Sequence, residues 1–217
     1  MKPIFHSALV SFNETIRPNA HTAKLIRTAR AEMNGLSRSI SANQTSNAAS
    51  TQRAEDTNIH LPSYIGVHVR RGDLHATSWA FHKGYVPIIN YAQAALATWS
   101  RLFPSSSPST IYIASDSPSA ERELSDALPS NTSVLSLSRS ANPELRTLAS
   151  PKEYVQSEFA GLGEEERINA TRGMIVDFAM VSGMWAWPDD VIPDATVCTI
   201  GCVMWAVRQL WVADLVD

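Results

Sequence analysis

The strongest constraint on the fold is a regular alternation of short apolar runs with amphipathic segments in the middle of the chain. Four runs of β-branched and other apolar residues predict strands over residues 64–69, 110–115, 133–137 and 195–200. Helical spacing over 86–103, and Ser117 followed by Pro118 as the start of a second helix, place helices between the first three strands. Strand, helix, strand, helix, strand is typical of right-handed crossovers, so the sequence predicts an α/β fold with a Rossmann-like parallel sheet.

The segments outside this alternation predict two further regions. Apolar residues at helical spacing predict a helix that begins near Pro18 and packs on the core, within an amino-terminal segment of residues 1–34. Residues 35–63 are rich in Ser, Asn, Thr and Ala, which bury little apolar surface, and we expect a mobile loop there. Residues 64–217 form the main domain, with further helices predicted over 154–162, 169–186 and 203–216.

Composition and charge argue against several classes of partner. The formal net charge of -3 and the pI near 6.1 give no basic field for a nucleic-acid backbone. No apolar run approaches the ~20 residues that a membrane-spanning helix needs. The two cysteines, Cys198 and Cys202, lack the further ligands of a zinc site, and we expect buried thiols and no bound metal. N-x-S/T sequons, which permit a secretory setting without requiring one, lie at Asn13, Asn43, Asn131 and Asn169.

Charged and polar residues follow three of the predicted strands at the point where each strand ends. In an open parallel sheet, ligands bind in the crevice outside the carboxyl ends of the strands. Alternation sends His68 and Arg70 away from the face that holds Val67 and Val69. Adjacent guanidinium groups repel each other unless an anion joins them, and a diphosphate suits such a site. The candidate residues are His68, Arg70, Arg71 and Asp73 after the first strand, Ser115 and Asp116 after the second, and Thr199 to Gly201 after the last.

Two further features indicate nucleotide binding. A strand that ends at Gly201 and is followed at once by a helix directs unpaired backbone N–H groups and a positive dipole end towards the crevice. Asp177 interrupts an otherwise apolar helical segment. A carboxylate there can accept two N–H bonds side by side, as the edge of a guanine presents them, although chemistry alone does not assign this role.

Structural alternatives exist for each of these residues. Arg70 and Asp73 could form a surface ion pair beside a hydrogen-bonded His68, since such pairs are common and contribute little. Asp116 could be a turn or cap residue, and Asp177 could face a solvated groove. Residues 71–73 also spell the Arg-Gly-Asp adhesion tripeptide, which requires a protruding, exposed loop.

Three motifs in order resemble those of the GDP-fucose-dependent fucosyltransferases, the group that contains α1,6-fucosyltransferases and protein O-fucosyltransferases. GVHVRRGD resembles their first motif and IYIASDSPS their second. IVDFAMVSGMWAWPDDVIPDATVCTIG resembles the third, in a form typical of fungal members. The resemblance extends over most of residues 64–201, and its H-x-R-R-x-D string is the specific part.

The resemblance implies the carboxyl-terminal, nucleotide-binding half of a GT-B enzyme that transfers fucose from GDP-fucose to an acceptor hydroxyl with inversion and without an essential metal. Arg70 would hold the β-phosphate and stabilise charge on the departing GDP. His68 and Asp177 would contact the guanosine, and Asp73 and Asp116 would order the pocket. Arg71 would support the diphosphate or the loop. The remaining donor-site residues lie at the strand ends and are Ser115, Thr199 and Gly201. The lumen of the ER or Golgi is the implied compartment, although no signal or anchor is visible in the sequence.

Two departures from the family pattern affect this expectation. Family members follow the last strand with small hydroxyl or amide residues, whereas this chain has Gly201 and Cys202, and residues 201–217 no longer resemble the family. The amino-terminal half that binds the acceptor in the family is absent. The sequence therefore predicts a fucosyltransferase-like but incomplete, truncated or misannotated product. The alternatives are a non-catalytic remnant that at most binds GDP, and an Arg-Gly-Asp interaction protein.

Overall fold

The computed structural model describes residues 15–45, 64–72, 85–104 and 108–198 of the 217. The described helices and strands alternate along the chain over most of its length. The helices are α1 (Ala20–Thr45), α2 (Ile88–Leu102), α3 (Pro118–Ala127), α4 (Pro143–Arg146), α5 (Gln156–Phe159) and α6 (Glu164–Ser182). The strands are β1 (Ile65–Val69), β2 (Thr110–Ser115), β3 (Ser133–Leu135) and β4 (Ala195–Cys198).

The four strands form one parallel sheet in the order β3-β2-β1-β4. Each strand of this sheet is separated from the next by at least one helix, as parallel pairing requires. The prediction of an α/β, Rossmann-like fold is therefore confirmed. Because β1 lies between β2 and β4, the strand order reverses beside β1, and such a reversal is where open α/β sheets bind their ligands.

Alternating residues of the sheet enter two separate cores. Ile65, Val67 and Val69 of β1 pack with α2 and α3 on one face. Tyr64 and Tyr112 lie on the other face, among buried residues of α1 and α6. His68 is four residues after Tyr64 along extended backbone, and side chains an even number of residues apart share a face. His68 therefore extends towards the α6 face, as the alternation predicted.

Gly66 allows α6 to approach β1 closely. A β-carbon at residue 66 would lie 3.0 Å from the Cα of Val181 in α6 and 3.3 Å from its Cβ. Backbone and a β-branched side chain cannot move aside easily, so glycine is the residue that this contact requires. The sheet and α6 are thus fixed in position relative to each other on the face that His68 shares.

Arg30 of α1 binds the carboxyl-terminal end of α6. Its guanidinium donates hydrogen bonds to three main-chain carbonyl oxygens, and it forms a 2.7 Å ion pair with Asp190. The side chain is only 1% exposed, so these partners of its two terminal nitrogens compensate its charge inside the protein. The carbonyls belong to Ala179 (3.2 Å), Met184 (2.6 Å) and Trp185 (3.0 Å). A buried arginine therefore connects α1, α6 and the loop before β4.

Some predicted boundaries are wrong. The segment predicted as a loop from residue 35 is helical as far as Thr45, because Ser and Asn lower helix propensity by only tenths of a kcal/mol each and no proline interrupts the helix. Residues 46–63 lie outside the described ranges. Helix α6 begins at Glu164 rather than near residue 169, since three glutamates in its first turn favour the positive end of the helix dipole. It ends at Ser182 because Gly183 adopts a φ of 70°.

Other elements were not predicted or cannot be compared. The short helix α4, capped by the side chain of Asn142, was not predicted. The helix expected over residues 203–216 lies outside the described part of the chain. Within the described ranges, none of the helices combines the length and the apolar character that a bilayer crossing requires.

Candidate functional site

The candidate site lies at the carboxyl ends of β1, β2 and β4. Strand register places Val69 beside Ser115 and His68 beside Cys198. The predicted residues that follow β1 and β2 are therefore neighbours across the sheet, and the residues that follow β1 are adjacent to the reversal in strand order between β1 and β4. Three predicted residues, Asp73, Thr199 and Gly201, lie outside the described residues.

His68 is a half-buried, uncharged imidazole at this edge. Burial lowers its pKa to about 4, and the positive charge of Arg70 acts in the same direction. At neutral pH the ring is therefore neutral and has one nitrogen donor and one acceptor. Its Nδ1 lies 3.3 Å from the Sγ of Cys198.

Cys198 was predicted to be a buried thiol, and this prediction is wrong because its sulfur is in a disulfide. The other cysteine of the sequence, Cys202, lies outside the described residues. The side chain of Cys198 is half-buried at the end of β4. A sulfur without an ionisable proton therefore lies next to His68, and it adds no charge to the site.

Arg70 leaves the end of β1 with 43% of its side chain exposed. Its Nε lies 3.8 Å from the Oδ2 of Asp116, which is an ion-pair distance but longer than a hydrogen bond. The guanidinium is therefore oriented by a carboxylate and remains accessible to solvent. A group in this position is accessible to an anion at the edge of the sheet.

Asp116 organises the turn that follows β1. Its Oδ1 accepts a 2.9 Å hydrogen bond from the main-chain N–H of Arg71, and the N–H of Gly72 also contributes. Burial is the larger influence and raises the pKa of Asp116 despite these hydrogen bonds. Its Oδ2 is buried and accepts no hydrogen bond from the described residues. Asp116 therefore links the end of β2 to the turn that positions Arg70.

Arg71 extends away from Arg70. Its guanidinium forms a 2.8 Å ion pair with Glu123 of α3, and it lies 5.3 Å from the ring centre of Tyr85. The sequence predicted that both guanidinium groups bind one anion, but only Arg70 has the exposure for that role. The position of Arg71 fits support of the loop, the other role that the resemblance implied.

Ser115 connects the ends of two strands. Its hydroxyl donates a 2.8 Å hydrogen bond to the carbonyl of Val69 and accepts one of 3.1 Å from the N–H of Ser117. The hydroxyl group therefore uses both its donor and its acceptor on main-chain atoms. Ser115 therefore holds β1 and β2 together at the edge, and Ser117 in turn caps α3.

Asp177 lies on α6 beside Tyr112 of β2, further from the carboxyl ends of the strands than His68. Its Oδ1 accepts a 2.6 Å hydrogen bond from the hydroxyl of Tyr112, which pairs with Gly66 in the sheet rather than with His68. Burial raises the pKa of Asp177 to about 8, and the negative charge of Glu121 acts in the same direction. The charges and hydrogen bond that act on Asp177 come from β2 and α3, so the described contacts do not join it to Arg70.

Tyr112 and Glu121 are residues of this region that the sequence argument did not identify. Glu121 accepts hydrogen bonds from Ser136 (2.6 Å) and Ser138 (2.5 Å) after β3. Tyr112 looks like any aromatic residue of a buried strand, and no local spacing connects it to Asp177, which is distant in the sequence. Only the packing of α6 on the sheet brings the phenol and the carboxyl together.

A β-carbon at residue 72 is expected to disrupt the turn after β1. It would lie 2.5 Å from the carbonyl oxygen of Tyr154 and 2.6 Å from the Oδ2 of Asp116. We predict that Gly72→Ala destabilises the protein by about 1–3 kcal/mol in urea unfolding, because main chain and a fixed carboxylate must move. Gly35→Ala in α1, where nothing lies within 4 Å, is the control and should stabilise by about 0.5–1 kcal/mol. Equal effects of the two substitutions would contradict the described turn.

Among the described residues, no group of three or more His, Cys, Asp and Glu side chains is arranged to hold a metal ion. No family model matches the sequence. A search of curated proteins also finds no match.

Proposed function

We propose that residues 64–198 belong to the donor-binding part of a glycosyltransferase that binds GDP-fucose and transfers fucose to an acceptor hydroxyl with inversion. The observation that best supports this proposal is the position of Arg70. Its guanidinium is exposed at the carboxyl end of β1, beside the reversal in strand order, where α/β sheets bind nucleotides. The motif resemblance supplies the identity of the nucleotide sugar.

In this proposal Arg70 binds the β-phosphate and stabilises the negative charge that develops on GDP as the bond to fucose breaks. Asp116 fixes the turn and keeps the guanidinium near the edge of the sheet. His68, neutral because of its burial, offers a hydrogen bond to the guanosine without adding charge. Arg71 stays bound to Glu123 and supports the turn from the outside.

Donor turnover with matched arginine variants tests the role of Arg70. We expect Arg70→Ala to lower kcat/KM for GDP-fucose by about 10–100-fold, the effect of losing one hydrogen bond to a charged group. Arg139→Ala is the control, because Arg139 is also 43% exposed and its Nε also lies 3.8 Å from a carboxylate, that of Glu121. Full activity of Arg70→Ala would contradict the proposed mechanism.

The raised pKa of Asp177 predicts how GDP affinity depends on pH. Guanine N–H groups bind the carboxylate and not the carboxylic acid, and a pKa of about 8 means that the acid predominates at pH 7. We therefore predict that GDP binds about fivefold more tightly at pH 8 than at pH 7, and about tenfold more tightly at pH 9, in proportion to the ionised fraction of Asp177. Asp177→Asn should bind GDP weakly with no such pH dependence. A flat wild-type profile would remove Asp177 from the guanine site.

The second candidate is a non-catalytic domain that binds GDP without transferring fucose. The same pH profile would hold for it, but GDP-fucose would remain unconsumed under conditions in which GDP binds. The adhesion alternative has less support, because the guanidinium of Arg71 is bound to Glu123 and the backbone at Gly72 packs against Tyr154 and Asp116. An adhesion tripeptide needs these groups free on an exposed loop.

A further inference from the structure

The two sequons whose asparagine side chains are described, at Asn131 and Asn169, differ in their structural setting. Asn131 lies in the turn between α3 and β3, and its side chain is exposed. The N–H of Thr132 donates a 2.8 Å hydrogen bond to the carbonyl of Pro129, which closes a four-residue turn with Asn131 at its third position. Exposed turn tips tolerate added groups because few contacts depend on them.

Asn169 has the opposite setting. It lies in the second turn of α6 and is half-buried. Gly173 lies four residues further on the same helix face, and a β-carbon there would be 2.3 Å from the carbonyl oxygen of Leu148. Val176 and Met180 continue this face into the core. An oligosaccharide on Asn169 would therefore have to leave from the side of α6 that packs against the protein.

We propose that Asn131 is an N-glycosylation site and that Asn169 remains unmodified in the folded protein. The donor class is an oligosaccharide linked through a diphosphate to a lipid, as found in the lumen of the secretory pathway. The amide nitrogen of Asn131 forms a bond to C1 of the first sugar, and the bond from C1 to the diphosphate oxygen breaks. The lipid diphosphate leaves with the electron pair, and the amide releases one proton.

The position of Asn131 also makes a glycan compatible with the candidate site. Asn131 precedes β3, so it lies at the amino edge of the parallel sheet. His68 and Arg70 lie at the carboxyl edge. A glycan on Asn131 therefore extends from the opposite end of the sheet and leaves the crevice open, whereas the start of α6 lies nearer to that crevice because α6 runs back along the strands.

The test is expression of the full chain behind an added secretion leader in eukaryotic cells, with Asn13→Gln and Asn43→Gln in the background. Treatment of the secreted protein with a peptide-N-glycosidase converts a modified asparagine to aspartate, which peptide mass spectrometry detects. We expect conversion at Asn131 and not at Asn169. Asn131→Gln should abolish the glycan, and Asn169→Gln should leave it unchanged.

Cell-free translation in the presence of microsomes measures glycosylation of the chain without requiring its secretion. An unmodified Asn131 in both systems would overturn the proposal, as would a glycan on Asn169 in the secreted, folded protein. Because Asn131 is exposed in a turn, Asn131→Gln is not expected to impair folding. The result is independent of GDP binding, so the two proposals can fail separately.

Discussion

Replacement of Arg30 by methionine is expected to destabilise the folded protein by about 3–5 kcal/mol, the usual cost of removing one partner of a buried ion pair. Methionine keeps much of the side-chain volume but none of the donors. The carboxylate of Asp190 and the carbonyl oxygens at the end of α6 would lose their guanidinium partner inside the protein. Urea unfolding followed by circular dichroism measures the change.

Arg27→Met is the matched control for this prediction. Arg27 lies on the same helix and is exposed, and its guanidinium stacks 3.8 Å from the centre of the Trp187 ring. Loss of an exposed cation–π contact costs about 0.5–1 kcal/mol. If Arg30→Met and Arg27→Met destabilised the protein equally, Arg30 would not be the connection between α1 and α6 that its hydrogen bonds indicate.

Asp177→Asn is expected to stabilise the protein at alkaline pH. The pKa of Asp177 is about 8 in the folded state and near 3.8 in the unfolded chain. Between these values the unfolded chain releases a proton that the folded protein retains, so stability falls as the pH rises from about 4 to 8. Each unit of the pKa difference is worth at most about 1.4 kcal/mol, and partial exposure of the side chain reduces the total. We predict a gain of about 2–4 kcal/mol for Asp177→Asn at pH 8.5.

Thermal unfolding of the wild type and of Asp177→Asn between pH 5 and 9 tests this prediction. The two curves should converge at the acidic end and diverge as the pH rises. Asp126→Asn, a substitution at an exposed carboxyl group of α3, is the control and should follow the wild-type curve. Parallel curves for wild type and Asp177→Asn would show that the burial of Asp177 costs no stability.

Asp177 connects stability with the proposed function. A partly buried carboxyl group with a raised pKa, whose one hydrogen bond among the described residues comes from Tyr112, is typical of binding sites. If Asp177→Asn stabilised the protein and also weakened GDP binding, both results would have one cause. A stabilising substitution without effect on GDP would instead assign Asp177 to a structural role.

The parallel sheet could be predicted because its signals are local. Each strand is a short β-branched run, and β2 agrees with the predicted limits at both ends. The helix between β2 and β3 began where Ser117 and Pro118 indicated, since an N-cap and a proline at the first position act within one turn. Helix α1 was predicted too short because composition is a weak guide when a helix is already anchored by buried residues such as Ile26 and Met33.

The partners of the site residues could not be predicted in the same way. The strand alternation gave the direction of His68, but nothing near Arg71 in the sequence points to Glu123 on a separate helix. Arg30 likewise belongs to a residue type that is usually exposed, and its partner Asp190 lies far away in the sequence, so the pair forms only when the protein folds. Contacts between distant segments depend on tertiary packing, which hydrophobic periodicity does not encode.

Isothermal titration calorimetry of the protein with GDP at pH 8.5 measures whether a nucleotide binds beside Arg70. We expect saturable binding to the wild type and to Arg139→Ala, and binding by Arg70→Ala that is weaker by about 10–100-fold. Absence of binding to the wild type, or equal affinity of the wild type and Arg70→Ala, would contradict a nucleotide site at the carboxyl end of β1.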